Sequence, residues 1–242
     1  MSVATALRRV AATRYATALR EGGSLPGLVE ADDDGLYVVK FTGAGQGPAA
    51  LVAEVVVGEL ARALGLPVPE LVVAAIDPAL VLAEPDSEIR ELVSSSAGAN
   101  LGVDFLPGAL AFSAASGYRP DPELAADVVW LDALAANVDR TPQNPNLLIW
   151  HHRMWLIDHG AALFLQQSGI DPAQHVLLPY AGSIAEADER LAPCVDRALL
   201  ERLVALVPEE WRSGASPVEY LEHRMASPRA FVAEAEDARA RV

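Results

Sequence analysis

The segment that decides the fold reads Asn137-Val-Asp139-Arg-Thr-Pro-Gln-Asn144-Pro-Asn-Leu-Leu-Ile-Trp150, and it is soon followed by Trp155-Leu-Ile-Asp158-His-Gly160. The first is a proline-rich loop that enters an apolar strand, and the second ends a partner strand before a glycine, so together they predict a β-hairpin. Because a hairpin brings the start of its first strand beside the end of its second, we expect Asp139, Asn144 and Asp158 to converge. Such oxygen ligands suit Mg²⁺, and one of two carboxylates can orient a hydroxyl nucleophile.

Lysine usage singles out one further position. The 18 basic residues are 17 arginines and a single lysine, Lys40, which lies in the apolar run Leu36-Tyr-Val-Val-Lys-Phe41. Arginine and lysine serve equally on a solvated surface but differ where a compact point charge is required. The position indicates either a functional ammonium or a strand lysine whose head group reaches solvent.

Composition and charge argue against several classes of protein. The 242 residues include 33 Asp and Glu against 18 Lys and Arg, and the formal charge of −15 disfavours direct binding to nucleic acid or to an anionic membrane. No apolar run is long enough to predict a membrane span. The single cysteine, Cys194, permits no internal disulfide and favours a reducing, cytoplasmic location.

The order of predicted elements is that of an α+β protein, with strands early, helices late and the hairpin between them. Helical spacing of apolar residues predicts an N-terminal helix within residues 1–20, at Leu7, Val10, Tyr15, Ala18 and Leu19. The other predicted elements are strands at 28–30 and 36–41, a helix at 49–64, strands within 71–82, a helix at 122–137, hairpin strands at 146–150 and 154–157, and helices at 183–207, interrupted at Pro193, and 217–239.

An Asp followed by an Asn five positions later, a hairpin and an Ile-Asp-x-Gly sequence resembles the catalytic and metal loops of protein-kinase-like phosphotransferases. The resemblance is greatest to the HipA-like kinases, whose catalytic stretch reads Asn-x-Asp-Arg followed by Asn. It implies a bilobal protein-kinase-like α+β fold. The N-lobe would be residues 1–107, with the N-terminal helix and a small antiparallel, ATP-covering sheet with one helix. The mainly helical C-lobe would be residues 108–242 and would contain the catalytic β-hairpin and the metal loop.

The same resemblance implies a role for each matching residue. Asp139 matches the catalytic aspartate, and Asn144 and Asp158 match the magnesium ligands, the latter in Asp-His-Gly where the family's loop has Asp-Phe-Gly. Lys40 matches the strand lysine that holds the α- and β-phosphates of ATP, and Glu54 matches the helix glutamate that pairs with it. Taken singly, each acid could instead be a turn or solvated helix residue.

Three more residues are expected at the ATP site from their place in the chain. Gly23 and Ser24 lie in the glycine-rich loop that would cover the phosphates, and Phe105 lies in the connector Val103-Asp-Phe-Leu106 between the two lobes. In some HipA relatives a serine of the covering loop is autophosphorylated, and Ser24 occupies a comparable place. This loop does not have the Gly-x-Gly-x-x-Gly spacing, and no His-Arg-Asp triplet is present.

The expected function is transfer of the γ-phosphate of ATP, with Mg²⁺, to a hydroxyl of an unidentified acceptor, as in HipA-like serine/threonine kinases. A small-molecule kinase and a catalytically silent nucleotide-binding scaffold are the alternatives. Loss of activity usually removes a metal ligand or the lysine, and here all five positions are filled. The cluster Gly43-Ala-Gly45-Gln-Gly47 also resembles a dinucleotide-binding turn, but its third glycine would fall on Pro48.

Overall fold

The computed structural model describes residues 5–19, 25–45, 47–163, 171–212, 214–226 and 228–242. Its N-terminal part is a closed β-barrel with the strand order β1-β2-β3-β5-β4. The strands are β1 (Arg8–Ala18), β2 (Gly27–Ala31), β3 (Leu36–Lys40), β4 (Leu71–Ile76) and β5 (Gly98–Asp104). Gly23 and Ser24 lie outside the described residues.

The predicted N-terminal helix is wrong, because this segment forms strand β1. β1 pairs with β2 and β4, and the register of its pairing with β2 shifts between Ala12 and Arg14 and again between Tyr15 and Thr17. Each irregularity displaces the strict two-residue alternation of a strand. The more buried positions of β1 therefore fall at Val10, Ala12, Tyr15 and Ala18, a spacing that resembles one face of a helix.

The predicted small antiparallel sheet with one helix also needs correction. β1 runs parallel to β4 and closes the sheet into a barrel, whereas the other pairs are antiparallel. Two helices accompany the strands, α1 (Pro48–Ala63) and α2 (Ser87–Ser95). The start of α2 carries an acidic cap, since Asp86 accepts a hydrogen bond from the backbone N–H of Glu88.

Helix α1 connects the barrel to the rest of the molecule. It follows the glycine-rich turn after β3 and begins with Pro48, a residue suited to the first helical turn. Its buried residues join the larger of two hydrophobic cores, which extends through the helical C-terminal part. The smaller core fills the barrel and packs against α2.

The C-terminal part is mainly helical around a short three-stranded sheet. Its helices are α3 (Pro122–Ala135), α4 (Ile184–Leu191), α5 (Arg197–Ala205), α6 (Pro217–Met225) and α7 (Ala230–Arg239). Pro193 interrupts the helical stretch at 183–207, as predicted. The helix expected at 217–239 is instead two helices, separated by a segment that contains Pro228. None of the described helices has the length and apolar character needed to cross a membrane.

The sheet contains β6 (Leu110–Ala111), β7 (Leu147–Trp150) and β8 (Arg153–Leu156), in that order. β7 and β8 form the predicted hairpin through the two-residue turn at His151 and His152. Both turn residues have positive φ angles, which matches the right-handed twist of the flanking strands. This hairpin places the segment around Asp139 before its first strand and Asp158 after its second.

Candidate functional site

The Lys40 ammonium lies where three distant parts of the chain meet. Lys40 ends β3, Glu54 lies on α1, and Asp158 follows β8. The Nζ atom donates hydrogen bonds to Glu54 Oε1 and, at 2.8 Å, to Asp158 Oδ1. Only 15% of the Lys40 side chain is exposed. We call Lys40, Glu54 and Asp158 the Lys40 cluster.

Glu54 also binds the backbone beyond Asp158. Its two carboxylate oxygens accept hydrogen bonds from the N–H groups of His159, at 2.8 Å, and Gly160, at 2.9 Å. A Cβ atom at Gly160 would lie 3.0 Å from Glu54 Oε1, so the glycine allows this close approach. A second buried glutamate on α1, Glu59, instead receives hydrogen bonds from Arg62.

The charges of the Lys40 cluster do not balance, because one ammonium serves two carboxylates. Burial raises the pKa of Glu54 to about 7, with Lys40 partly offsetting the effect. Burial acts in the same direction on Asp158, but the Lys40 ammonium outweighs it and holds this pKa at about 2. Burial would lower the pKa of Lys40, yet the two carboxylates raise it above its ordinary value. With 43% of its side chain exposed, Asp158 is the member of the cluster that solvent reaches most easily.

The loop before the hairpin places amides around Asp139. Asp139 Oδ2 accepts hydrogen bonds from the side-chain amides of Asn144, at 2.9 Å, and Asn146, at 3.4 Å. The Asp139 backbone N–H donates to Asn137 Oδ1 at 3.2 Å. Backbone bonds in both directions between Thr141 and Asn144 close the turn. Asp139 is thus held by three of the four asparagines in the chain.

Backbone contacts connect this loop to the exit of the hairpin. The carbonyl of Asn146 accepts a hydrogen bond from the N–H of Ile157 at 3.1 Å, next to Asp158. Arg140 donates from one nitrogen to the carbonyls of both Asn146 and Ile157. The structure therefore brings Lys40, Glu54 and Asp158 into direct contact, and Asp139 and Asn144 into direct contact, with Arg140 between the two groups. Phe105 is half-buried at the end of β5, where its N–H donates to the Leu36 carbonyl.

His159 gives the Asp-His-Gly turn an unusual interior residue. The side chain is buried, its Nδ1 lies 3.4 Å from Arg140 Nη2, and its Nε2 atom has no hydrogen-bond partner among the described residues. Burial, reinforced by Arg140, lowers the pKa of His159 to about 3, so the imidazole is neutral near pH 7. Asp158, which precedes it, has a φ of 56°, a left-handed conformation that Asp tolerates better than most residues.

The donor set of the site fits a hard cation such as Mg²⁺. Asp158 offers a partly exposed carboxylate beside excess negative charge, and Asn144 offers an exposed amide oxygen. Within the described ranges, no three His, Cys, Asp or Glu side chains come together as a protein-only metal cage. Few protein ligands are usual for Mg²⁺, which takes its other ligands from water and phosphate.

Several residues of the site escaped the sequence analysis. Asn146 lies in the loop before the hairpin, but no motif assigned it a role. Arg140 stands in the Asp-Arg pair without an expected contact. Asp132, which binds Arg140, and His175, which binds Asp132, carried no signal, because they lie in a helix and in a segment without a recognisable motif.

Comparison with known proteins identifies the family. A family model described as HipA-like kinase matches residues 14–228. The chain belongs to the HipA-like kinase family. The crystal structure of the Helicobacter pylori proinflammatory kinase CtkA is similar at a TM-score of 0.59 and 13% identity, covering 98% of each chain. No curated protein matches this HipA-like kinase.

A second solved structure, the Golgi casein kinase with Mn and ADP bound, is similar at a TM-score of 0.54 and 14% identity. It covers 98% of this chain and 74% of that one. At such low identity these likenesses establish the fold, a mixed α/β fold with a sheet-rich N-terminal part and a helical C-terminal part, as in kinases. Family and fold together are those of a kinase-like phosphotransferase.

Proposed function

We propose that this chain is a cytoplasmic, ATP- and Mg²⁺-dependent kinase that transfers the γ-phosphate to a hydroxyl of a protein. The observation that supports it most directly is the Lys40 cluster, in which the only lysine of the chain meets a helix glutamate and the Asp of Asp-His-Gly. Nucleotide would bind between two lobes, at about residues 1–107 and 108–242. A further support is that the two solved structures described above are kinases, one of them with Mn and ADP bound.

Each residue of the site has a task in this proposal. Lys40, fixed by Glu54, would hold the α- and β-phosphates of ATP. Asp158 and Asn144 would hold Mg²⁺, whose charge, when the ion is bound, helps to neutralise the phosphates. Asn144 would bind the ion through its amide oxygen, while its amide nitrogen keeps the hydrogen bond to Asp139. Asp139 would then orient the acceptor hydroxyl in line with the γ-phosphorus and accept its proton.

Catalysis in this arrangement depends on position and charge. The amides that hold Asp139 and the contacts that hold Lys40 fix the reacting groups before substrate binds. Gly23, Ser24 and Phe105 remain proposed nucleotide contacts, and Ser24 remains a proposed autophosphorylation site. A small-molecule acceptor would use the same groups, and the nature of the acceptor is an outcome of the experiment below.

The test combines nucleotide binding with phosphate transfer. Thermal shifts with ATP, GTP and Mg²⁺ measure binding, and radiolabel transfer into a cell lysate measures activity. Asp139→Asn should retain the thermal shift and abolish transfer, whereas Asp158→Asn should lose the Mg²⁺-dependent part of the shift. A wild-type chain that bound nucleotide without transferring phosphate would instead be a silent scaffold.

The two glutamates of α1 supply a matched control. Glu54→Gln should weaken ATP binding, because the amide cannot hold the ammonium by charge. Glu59→Gln changes the same atoms on the same helix, but Glu59 binds Arg62 and does not touch the Lys40 cluster. Equal effects of the two substitutions on ATP affinity would contradict the assignment of Lys40 and Glu54.

A further inference from the structure

Arg140 is the most deeply buried cation near the proposed catalytic loop. It follows Asp139 directly, yet only 1% of it is exposed. Its Nε atom donates a hydrogen bond of 2.6 Å to Asp132 Oδ2 on α3. A buried guanidinium requires partners around its whole edge, and the chain supplies them from several elements.

The guanidinium joins the two ends of the hairpin. Its Nη1 atom donates to the carbonyl of Asn146, two residues after Asn144, and at 3.3 Å to the carbonyl of Ile157, which precedes Asp158. The backbone carbonyl of Arg140 accepts a hydrogen bond from the N–H of Val176 at 3.0 Å. One side chain thus contacts the backbone on both sides of the proposed magnesium site.

The position of Arg140 is itself fixed by neighbours. Asp132 also accepts hydrogen bonds from Asn137 Nδ2 at 2.9 Å and from His175 Nε2 at 3.0 Å. His175 Nδ1 accepts a hydrogen bond from the N–H of Leu177, so its Nε2 atom carries the hydrogen and donates the bond to Asp132. We call Asp132, Arg140 and His175 the Arg140 cluster. All three side chains are less than 10% exposed.

We propose that Arg140 is a positioning residue for phosphate transfer, an inference that rests on the proposed function. Through the Asn146 and Ile157 carbonyls it would hold the Asp139 loop and the Asp158 turn in a fixed relation, while Asp132 and His175 fix the guanidinium. The requirement is for arginine, because its planar group binds a carboxylate along one edge and two carbonyls along another. A lysine at this position carries its three N–H donors on a single nitrogen, so it cannot reproduce the separate positions of Nε at Asp132 and of Nη1 at the two carbonyls.

A pocket beside Arg140 makes a direct test possible. It has a volume of about 240 Å³, and its lining includes Val129, Asp132, Arg140, Thr141 and His175. Other lining residues, Asp171 and Gln174, are exposed, so the pocket opens to solvent. Removal of the Arg140 side chain would extend this pocket to the vacated site, which free guanidinium could then enter.

The experiment measures phosphate transfer at a series of Mg²⁺ concentrations for Arg140→Lys and Arg140→Ala. We expect Arg140→Lys to lower kcat about 100-fold, because small displacements of reacting groups are costly. The Mg²⁺ concentration for half-maximal activity should rise about tenfold, as for residues that orient metal ligands. Free guanidinium, at a concentration that leaves the wild type unaffected, should restore a part of the activity of Arg140→Ala but not that of Lys40→Ala.

Arg224 provides the control for a purely structural arginine. It lies on α6 and donates to the carbonyls of Ala133 and Leu134, at 2.6 and 2.7 Å, without touching the hairpin. Arg224→Lys should leave kcat and the Mg²⁺ requirement as in the wild type. Wild-type kcat and Mg²⁺ dependence in a folded Arg140→Lys would overturn the proposal, as would equal effects of the two substitutions.

Hydrogen exchange tests the same idea without substrate or metal. In the metal-free protein, Arg140→Lys should speed exchange of the Ile157 N–H, which bonds to the Asn146 carbonyl, and Arg224→Lys should not. Should Arg140→Ala not fold, His175→Gln weakens the same cluster from its edge and should change kcat in the same direction. A wild-type chain without transferase activity would overturn the proposed function, whereas unchanged exchange at Ile157 would overturn the role of Arg140 alone.

Discussion

The Lys40 cluster and the Arg140 cluster both place a cation against buried carboxylate, but their charges balance differently. In the first, one ammonium is shared by Glu54 and Asp158, and Asp158 is partly exposed. In the second, one guanidinium pairs with one carboxylate, that of Asp132, which also accepts hydrogen bonds from Asn137 and His175. The first cluster retains negative charge that a bound cation can neutralise, whereas the second is electrostatically complete.

The pKa values express the same contrast. Burial raises the pKa of Glu54 to about 7; Lys40 partly offsets this effect, and the neighbouring Asp158 charge adds to it. Burial also opposes ionisation of Asp132, but Arg140 and His175 outweigh it and hold that pKa far below its ordinary value. Two carboxylates of similar burial thus shift in opposite directions. A cluster whose charges balance is suited to a structural and positioning role. A cluster with uncompensated negative charge is suited to binding a cation.

The largest expected effect separates the clusters by stability. Asp132→Ala should lower the free energy of unfolding by about 3–5 kcal/mol, because it leaves Arg140 buried without its counter-charge. Asp158→Ala should change it by less than about 1 kcal/mol, since Lys40 keeps Glu54 and the lost carboxylate is partly exposed. Urea denaturation of the nucleotide-free variants measures both. Equal losses would remove the distinction between the clusters.

A smaller expected effect concerns the kind of cation. Lys40→Arg should reduce transfer about 100-fold, because the larger planar group cannot take the place of a compact ammonium between two carboxylates. Arg14→Lys, at an exposed pair with Glu30, makes the reverse exchange away from the site and should leave transfer unchanged. Initial rates at saturating ATP give the comparison. Wild-type rates in Lys40→Arg would mean that the solitary lysine has no catalytic significance.

The smallest expected effect is on acid stability. Because the pKa of Asp132 lies below its ordinary 3.8, the stability that it contributes is complete above pH about 4 and is lost as the pH falls further. Asp132→Asn should therefore reduce the acid-dependent loss of stability, by up to about 1.4 kcal/mol per pH unit below that point. Urea denaturation between pH 3 and 5 measures the slope.

Asp127, also on α3, is the matched control for the acid experiment. Burial raises its pKa, with Arg190 partly offsetting the shift. Its contribution to stability therefore changes with pH in the opposite direction to that of Asp132. Asp127→Asn should therefore still show the loss of stability at low pH. A steeper loss in Asp132→Asn than in the wild type would contradict the charge balance assigned to the Arg140 cluster.

The sequence predicted most of the fold where apolar spacing agrees with the final structure. Helices α1 and α3 and the hairpin lie within a few residues of their predicted positions. Strand β1 was mistaken for a helix because its pairing irregularities change the spacing of buried residues. Closure of the barrel could not be predicted either, since it depends on the parallel pairing of β1 with a strand far along the chain.

For the candidate site, the sequence indicated residues wherever amino-acid usage or spacing marks them. Lys40 is unique in the chain, and Asp139 and Asn144 are five positions apart beside a hairpin. The Arg140 cluster had no such mark. Asp132 lies eight residues before Arg140 on a helix and belongs to no motif. His175 reaches Asp132 only because α3 packs beside the segment after residue 170, and a contact made by tertiary packing leaves no local pattern.

The parallel pairing of β1 with β4 has a consequence for synthesis of the chain. Arg8 pairs with Val72, and β4 in turn pairs with β5, which ends at Asp104. When only β1, β2 and β3 have emerged from the ribosome, the barrel is therefore incomplete, and both edge strands of this sheet, β1 and β3, lack a partner. Pairings so distant along the chain are slow to form. The nascent barrel therefore remains incomplete, and accessible to chaperones, until β5, which ends at Asp104, has emerged.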